Sequence, residues 1–195
     1  METEKTMNSE ESILLIQRMI NTAKENLEDK SFYFLLWGWL VFAACLINFI
    51  LINISFGMKE IGWVVLMPLG AIISSIYGYR QGKKQRVQSY IGDIMKYVLI
   101  AFMVSLFFVI LFMNKLGLAS YPMVMLIYGI WLFISGGALK FRPLIIGGII
   151  NWILAVVSLF VLFEEQLIIL ALAVLLGYII PGHMLRMKYR KRKPE

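Results

Sequence analysis

The sequence predicts an all-α fold: a polytopic membrane bundle of six transmembrane helices, preceded by a cytoplasmic amphipathic helix. Three observations predict it. Residues 32–54, FYFLLWGWLVFAACLINFILINI, run 23 positions without a charge, and about 20 apolar residues cross the ~30 Å hydrocarbon core of a bilayer. The 195 residues are 60% hydrophobic and only 16% charged, with a mean hydropathy of +0.78, where a soluble domain carries roughly a quarter charged residues. The charges crowd into short islands between further apolar runs. The net charge of +7 therefore reads as orientation in a membrane and not as nucleic-acid binding.

Residues 1–31 differ from the rest. They hold seven acids and four bases, a net of −3. A cleavable signal peptide needs a positive start and then an apolar core, which this segment lacks. Asn8 or Ser9 suits a helix N-cap, and Glu10 and Glu11 suit the N-terminal dipole. Ile13, Ile16, Ile20, Ala23 and Leu27 follow at alternating spacings of three and four, which places them on one helical stripe. The stripe is expected to dock on the basic 80–96 region of the chain itself. The other reading is a contact with a cytoplasmic partner or a second copy.

Six apolar stretches follow in order, at about 32–54, 61–79, 97–113, 121–139, 144–163 and 167–185, so that 32–185 reads as the transmembrane domain and 186–195, RMKYRKRKPE, as a basic tail. Val87, Ile91 and Ile94 give the 80–96 loop a helical stripe, so the third helix is expected to start within it. Pro143 opens the fifth helix, where a proline is tolerated. Seventeen of the 19 Lys and Arg lie in the N-terminal segment, the 80–96 loop, the 140–143 turn and the tail; Lys59 and Lys115 alone fall on the other side. This split predicts both ends of the chain in the cytoplasm and an inner (plasma) membrane location.

Small residues recur every four positions at Gly70, Ser74 and Gly78, at Gly147, Asn151 and Ala155, and at Ala173, Gly177 and Pro181. That spacing lets helix backbones approach closely in lipid, so these are expected helix-packing seams. A weak repeat relates residues 37–42 (WGWLVF) to 128–133 (YGIWLF), which would make two halves of three helices.

The sequence excludes most catalytic chemistry by what its spans lack. None of the six carries an Asp, Glu, Lys or Arg in its interior, the groups that titrate or pair in proton- and ion-coupled pumps. The single cysteine, Cys45, cannot form an intrachain disulfide, and no Cys/His cluster has metal-ligand spacing. His183 sits near the inner end of the last span and reads as an interfacial side chain. Glu164-Glu165 resembles the paired glutamates of CAAX-type intramembrane proteases, but the downstream arginine is missing. Ile134-Ser135-Gly136 resembles the serine motif of rhomboid proteases, but Phe133 stands where the first glycine belongs. No catalytic residue, metal site or cofactor is expected.

One candidate polar layer remains. Trp131 lies nine residues before Lys140 and Trp152 nine after Pro143, both roughly 13 Å deep at 1.5 Å per residue. Asn151 is beside them, and Ser105 reaches a similar depth. A buried Asn in lipid needs a partner, so Asn151 either ties helices together or lines a small neutral cavity with the tryptophans. The layout of six helices with both ends inside resembles the substrate-binding S-components of energy-coupling-factor vitamin transporters. Their Ala-x-x-x-Ala signature is absent from the first helix, where Ala43 and Ala44 are followed four later by Ile47 and Asn48. The expected function is a non-catalytic structural or regulatory membrane subunit, surrounded by the lipid bilayer, that engages a cytoplasmic protein partner or forms a homo-oligomer. The resemblance implies the alternative, a small transport component binding a neutral or weakly polar ligand.

Overall fold

Inside a bilayer a backbone N–H or C=O finds no water, so an apolar run satisfies its own polar groups by coiling into a helix. The structure, a computed structural model, describes residues 9–54, 57–58, 60–82 and 90–190; within these, the side chains of residues 9–12, 15–30, 81–82, 90–91 and 189 fall outside the description. The elements are α1 (Ser9–Asn53), α2 (Ile61–Gly82), α3 (Tyr90–Leu111), the single turn α4 (Met113–Leu116), a 3-10 turn (Gly117–Ala119), α5 (Ser120–Ala138), α6 (Arg142–Ser158), α7 (Phe163–Val174), a π-helical turn (Leu175–Ile179) and α8 (Ile180–Arg190). No strand occurs among the described residues.

Among the described residues, five stretches are long and apolar enough to cross a membrane: Ser31–Asn53, Ile61–Arg80, Gly92–Leu111, Met113–Ala138 and Phe163–Lys188. The apolar helix α6, with 17 residues, is about 26 Å long and sits at the short end of what spans. The protein is a helical membrane bundle.

The N-terminal segment and the first span form one helix. α1 runs 45 residues without a break, so residues 9–30 extend it about 33 Å before the apolar stretch begins at Ser31. Of the expected docking stripe, Ile13 is 56% exposed. The side chains of Ile16, Ile20, Ala23 and Leu27 lie outside the described residues, as do residues 83–89 of the loop expected to receive them.

Two boundaries differ from the sequence reading. α6 stops at Ser158 although the apolar run continues to Phe163, because Leu159 and Phe160 close a tighter turn onto the carbonyls of Val156 and Val157. Leu162 is extended, and α7 starts at Phe163. Glu164 and Glu165 therefore sit in the first turn of α7, where the helix dipole favours acids, and not in the connecting turn. The π turn was not expected. Pro181 has no N–H for the carbonyl of residue 177, and its ring crowds that carbonyl, so the preceding turn widens.

The core is built around the rod α7–π turn–α8. α1 packs along its whole length, and the antiparallel hairpin α5–α6 packs on its other side. α2 lies on α1, and α3 lies on α5. These two outer helices bury little: 11% of the α2 span and 6% of the α3 span, against 56% of the rod. Their exposed Ile and Phe side chains, such as Ile72, Ile76, Ile100 and Phe107, form the surface a bilayer solvates. The α5–α6 turn is closed by hydrogen bonds from Lys140 N to Gly137 O (3.1 Å) and Phe141 N to Gly136 O (2.9 Å). This is a Schellman cap, and Lys140 takes the left-handed conformation (φ 48°) that glycine usually supplies.

Candidate functional site

The polar side chains inside the bundle belong to seams between helices. α6 meets the π turn backbone to backbone: a methyl group on Gly147 would stand 2.9 Å from Gly177 Cα. That approach brings fully buried Asn151 within reach of the rod. Its Nδ2 donates to Gly147 O at 2.8 Å, one turn back on α6, and to Ala173 O at 3.1 Å on α7. Both partners are carbonyls, so the amide nitrogen must face them. Ala173 stands four residues before Gly177, at the entrance to the π turn where the ordinary helical donor register is lost. Asn151 Oδ1 is buried without a partner.

Trp152 points the other way. Its Nε1 donates to Leu126 O of α5 at 3.2 Å, and its indole lies where a side chain on Gly129 would be. Phe133 packs against it with ring centroids 5.3 Å apart. Trp131 faces α3, 5.2 Å from the Phe102 ring. Ser105 is exposed on α3. The structure thus brings Asn151 and Trp152 to two sides of α6 and does not bring Trp131 or Ser105 to them. An aromatic row crosses the bundle nearby: Phe102 to Tyr128 (5.9 Å), Tyr128 to Tyr178 (5.4 Å) and Tyr178 to Phe34 (6.0 Å) join α3, α5, the π turn and α1.

The other small-residue positions also lie at seams. Gly70 faces Leu40 and Trp37 of α1, and Gly78 faces the Tyr33 hydroxyl. Ser74 lies between them, its Oγ buried without a partner. Ala155 and Ala173 are buried in the core. Among the described residues, no group of three His, Cys, Asp or Glu side chains is placed to hold a metal ion.

Gln166 was not singled out by the sequence, and it is another fully buried amide. Its Nε2 donates to Leu118 O (2.9 Å) and Ser158 O (3.0 Å). Ser158 ends α6, so its carbonyl has no partner within its own helix. Gln166 supplies one and ties the 3-10 turn, the end of α6 and the start of α7 together. Gln166→Leu keeps the volume and removes both donors. It is expected to destabilise the detergent-solubilised protein by roughly 1–3 kcal/mol, read as a lower thermal midpoint. An unchanged midpoint would remove Gln166 from the account.

No family model matches the chain, and no curated protein or solved structure matches it.

Proposed function

We propose that the chain is a non-catalytic structural or regulatory subunit of the inner (plasma) membrane, with both chain ends in the cytoplasm, that engages a cytoplasmic protein partner. The observation that carries this reading is the uninterrupted helix α1. Its apolar half is held in the bundle by α2, α7 and α8, and its charged half continues as the same helix with Ile13 and Leu14 exposed. A partner that binds the outer half acts on a helix that continues into the core. The buried amides Asn151 and Gln166 tie helices together, which suits a scaffold.

The contacts support the orientation. Phe32 stacks on Tyr77 with centroids 4.1 Å apart, and Lys188 stands 5.3 Å over the Phe141 ring. The start of the first span, the end of α2, the α5–α6 turn and α8 thus share one end of the bundle, the end that carries the basic islands. Reporter fusions after Glu195 and within residues 55–60 are expected to report opposite sides of the membrane. The same side for both would overturn the topology.

The functional test is affinity capture of the full chain from mild detergent. A soluble protein that co-purifies with the intact chain and is lost with Ile13→Asp/Leu14→Asp supports the regulatory reading. Co-purification of a pair of ATPases, unaffected by that change, supports the transport alternative and overturns the proposal.

A further inference from the structure

We propose that the cleft between α1, α2 and α8 is a binding site for one anionic phospholipid. The cleft has a volume of about 750 Å³ and is lined by both charged and apolar side chains, sorted by depth. His183, Arg186 and Arg190 recur at spacings of three and four on α8, which puts all three on one face of that helix. The face forms one wall of the cleft. All three are exposed. Neither arginine makes an ion pair or hydrogen bond among the described residues, and no acid among them lines the cleft.

The opposite wall is α1. It begins at Ser31, where the apolar span starts, and runs through Leu36 to Trp39 and Leu40. Trp39 lies eight helical positions beyond Ser31, so this wall descends about 12 Å. The rim therefore offers two guanidinium groups at headgroup level, and the floor offers leucine and a half-exposed indole at acyl level. Tyr77 of α2 closes the third side.

That gradient selects the occupant. A free phosphate would use the rim and leave the apolar floor empty. An extended peptide would have to bring its backbone polar groups into the hydrocarbon, where nothing satisfies them. A lipid with a phosphate at one end and a chain at the other matches both ends. Guanidinium groups pair with phosphate oxygens through two parallel N–H donors, and basic pockets between membrane helices recognise anionic headgroups in this manner. The site does not depend on the functional reading above. It requires only that the rim lie at the headgroup level of the leaflet.

The test is native mass spectrometry and thermal unfolding of the full chain in a neutral detergent. Long-chain phosphatidylglycerol is titrated against phosphatidylcholine, short-chain phosphatidylglycerol and inorganic phosphate. Wild type is expected to keep one phosphatidylglycerol and to gain thermal midpoint with it, and to gain little with phosphatidylcholine. Short-chain lipid is expected to bind at least about tenfold more weakly, because each buried methylene contributes. Inorganic phosphate is expected to leave the midpoint unchanged; equal effects of phosphate and long-chain lipid would overturn the proposal in favour of a plain anion site. Arg190→Gln is expected to weaken lipid binding about 5-fold, and Arg186→Gln/Arg190→Gln about 20- to 30-fold, with midpoints in phosphatidylcholine unchanged. Arg190 is the exposed last residue of α8, so the single variant tests the site even if the double variant unfolds. Lys115→Gln, an exposed base on the turn α4, is expected to change nothing. An equal loss in Lys115→Gln, or full binding by Arg190→Gln, sinks the proposal.

Discussion

Gly148→Ala is expected to destabilise the bundle by about 1–3 kcal/mol, the usual cost of forcing a methylene into a packed core, while Gly137→Ala in the same hairpin is expected to be neutral or stabilising. The two glycines differ in what faces them. A methyl group on Gly148 would stand 2.8 Å from Gly129 O and 3.0 Å from Phe133 N. Both neighbours are backbone atoms of α5, so neither can rotate aside; the hairpin must open. At Gly137 a methyl group meets nothing within 4 Å, and alanine is intrinsically the better helix former by up to about 1 kcal/mol. Opening the hairpin also moves Trp152, whose Nε1 bond to Leu126 O crosses the same seam. Gly148→Leu is expected to go further and leave α5 and α6 unpaired. Thermal midpoints in one detergent check the pair of alanine variants. Equal midpoints for Gly148→Ala and Gly137→Ala would show that the α5–α6 seam is not packed as described.

The Gly129–Gly148 approach also marks where sequence reading stops. Gly147 and Gly177 stand out in the sequence because small residues recur at spacing four on each helix, and they face each other across a seam. Gly129 and Gly148 are as close, but neither belongs to such a run, and a pattern on one helix does not say which helix it meets. The membrane character was fully legible, since an uncharged stretch such as 32–54 has few alternatives to a buried helix. Gln166 was hidden by its neighbours: with Glu164 and Glu165 read as a turn, the next polar residue read as part of it. The π turn was hidden because Gly177 and Pro181 also fit an ordinary small-residue seam. The cleft on α1, α2 and α8 draws its lining from residues 31–40, 77 and 183–190, and only the folded chain brings those together.

Asn151→Leu is expected to lower stability on the order of 0.6–2 kcal/mol, the contribution of an interhelical hydrogen bond in a membrane, because it removes the bond from Asn151 Nδ2 to Ala173 O. Ala173 O sits where α7 gives way to the π turn, and Asn151 Nδ2 is the donor assigned to it. Asn151→Asp is expected to cost more. It replaces the donor by an acceptor facing two carbonyls, and burying a carboxylate without a partner forces it to take up a proton. Gly177→Ala probes the same contact from the other side, because its new methyl group would collide with Asn151 Nδ2 and stand 2.8 Å from Leu132 Cδ1. Removing the amide makes room. The double variant Asn151→Ala/Gly177→Ala is therefore expected to be more stable than the sum of its singles by about 0.5–3 kcal/mol, the range seen for residues in contact. Urea or thermal unfolding of the four proteins in one detergent measures that coupling. Strict additivity would mean that Asn151 and the π turn do not touch, and the tie between α6 and the rod would have to be sought elsewhere along the seam.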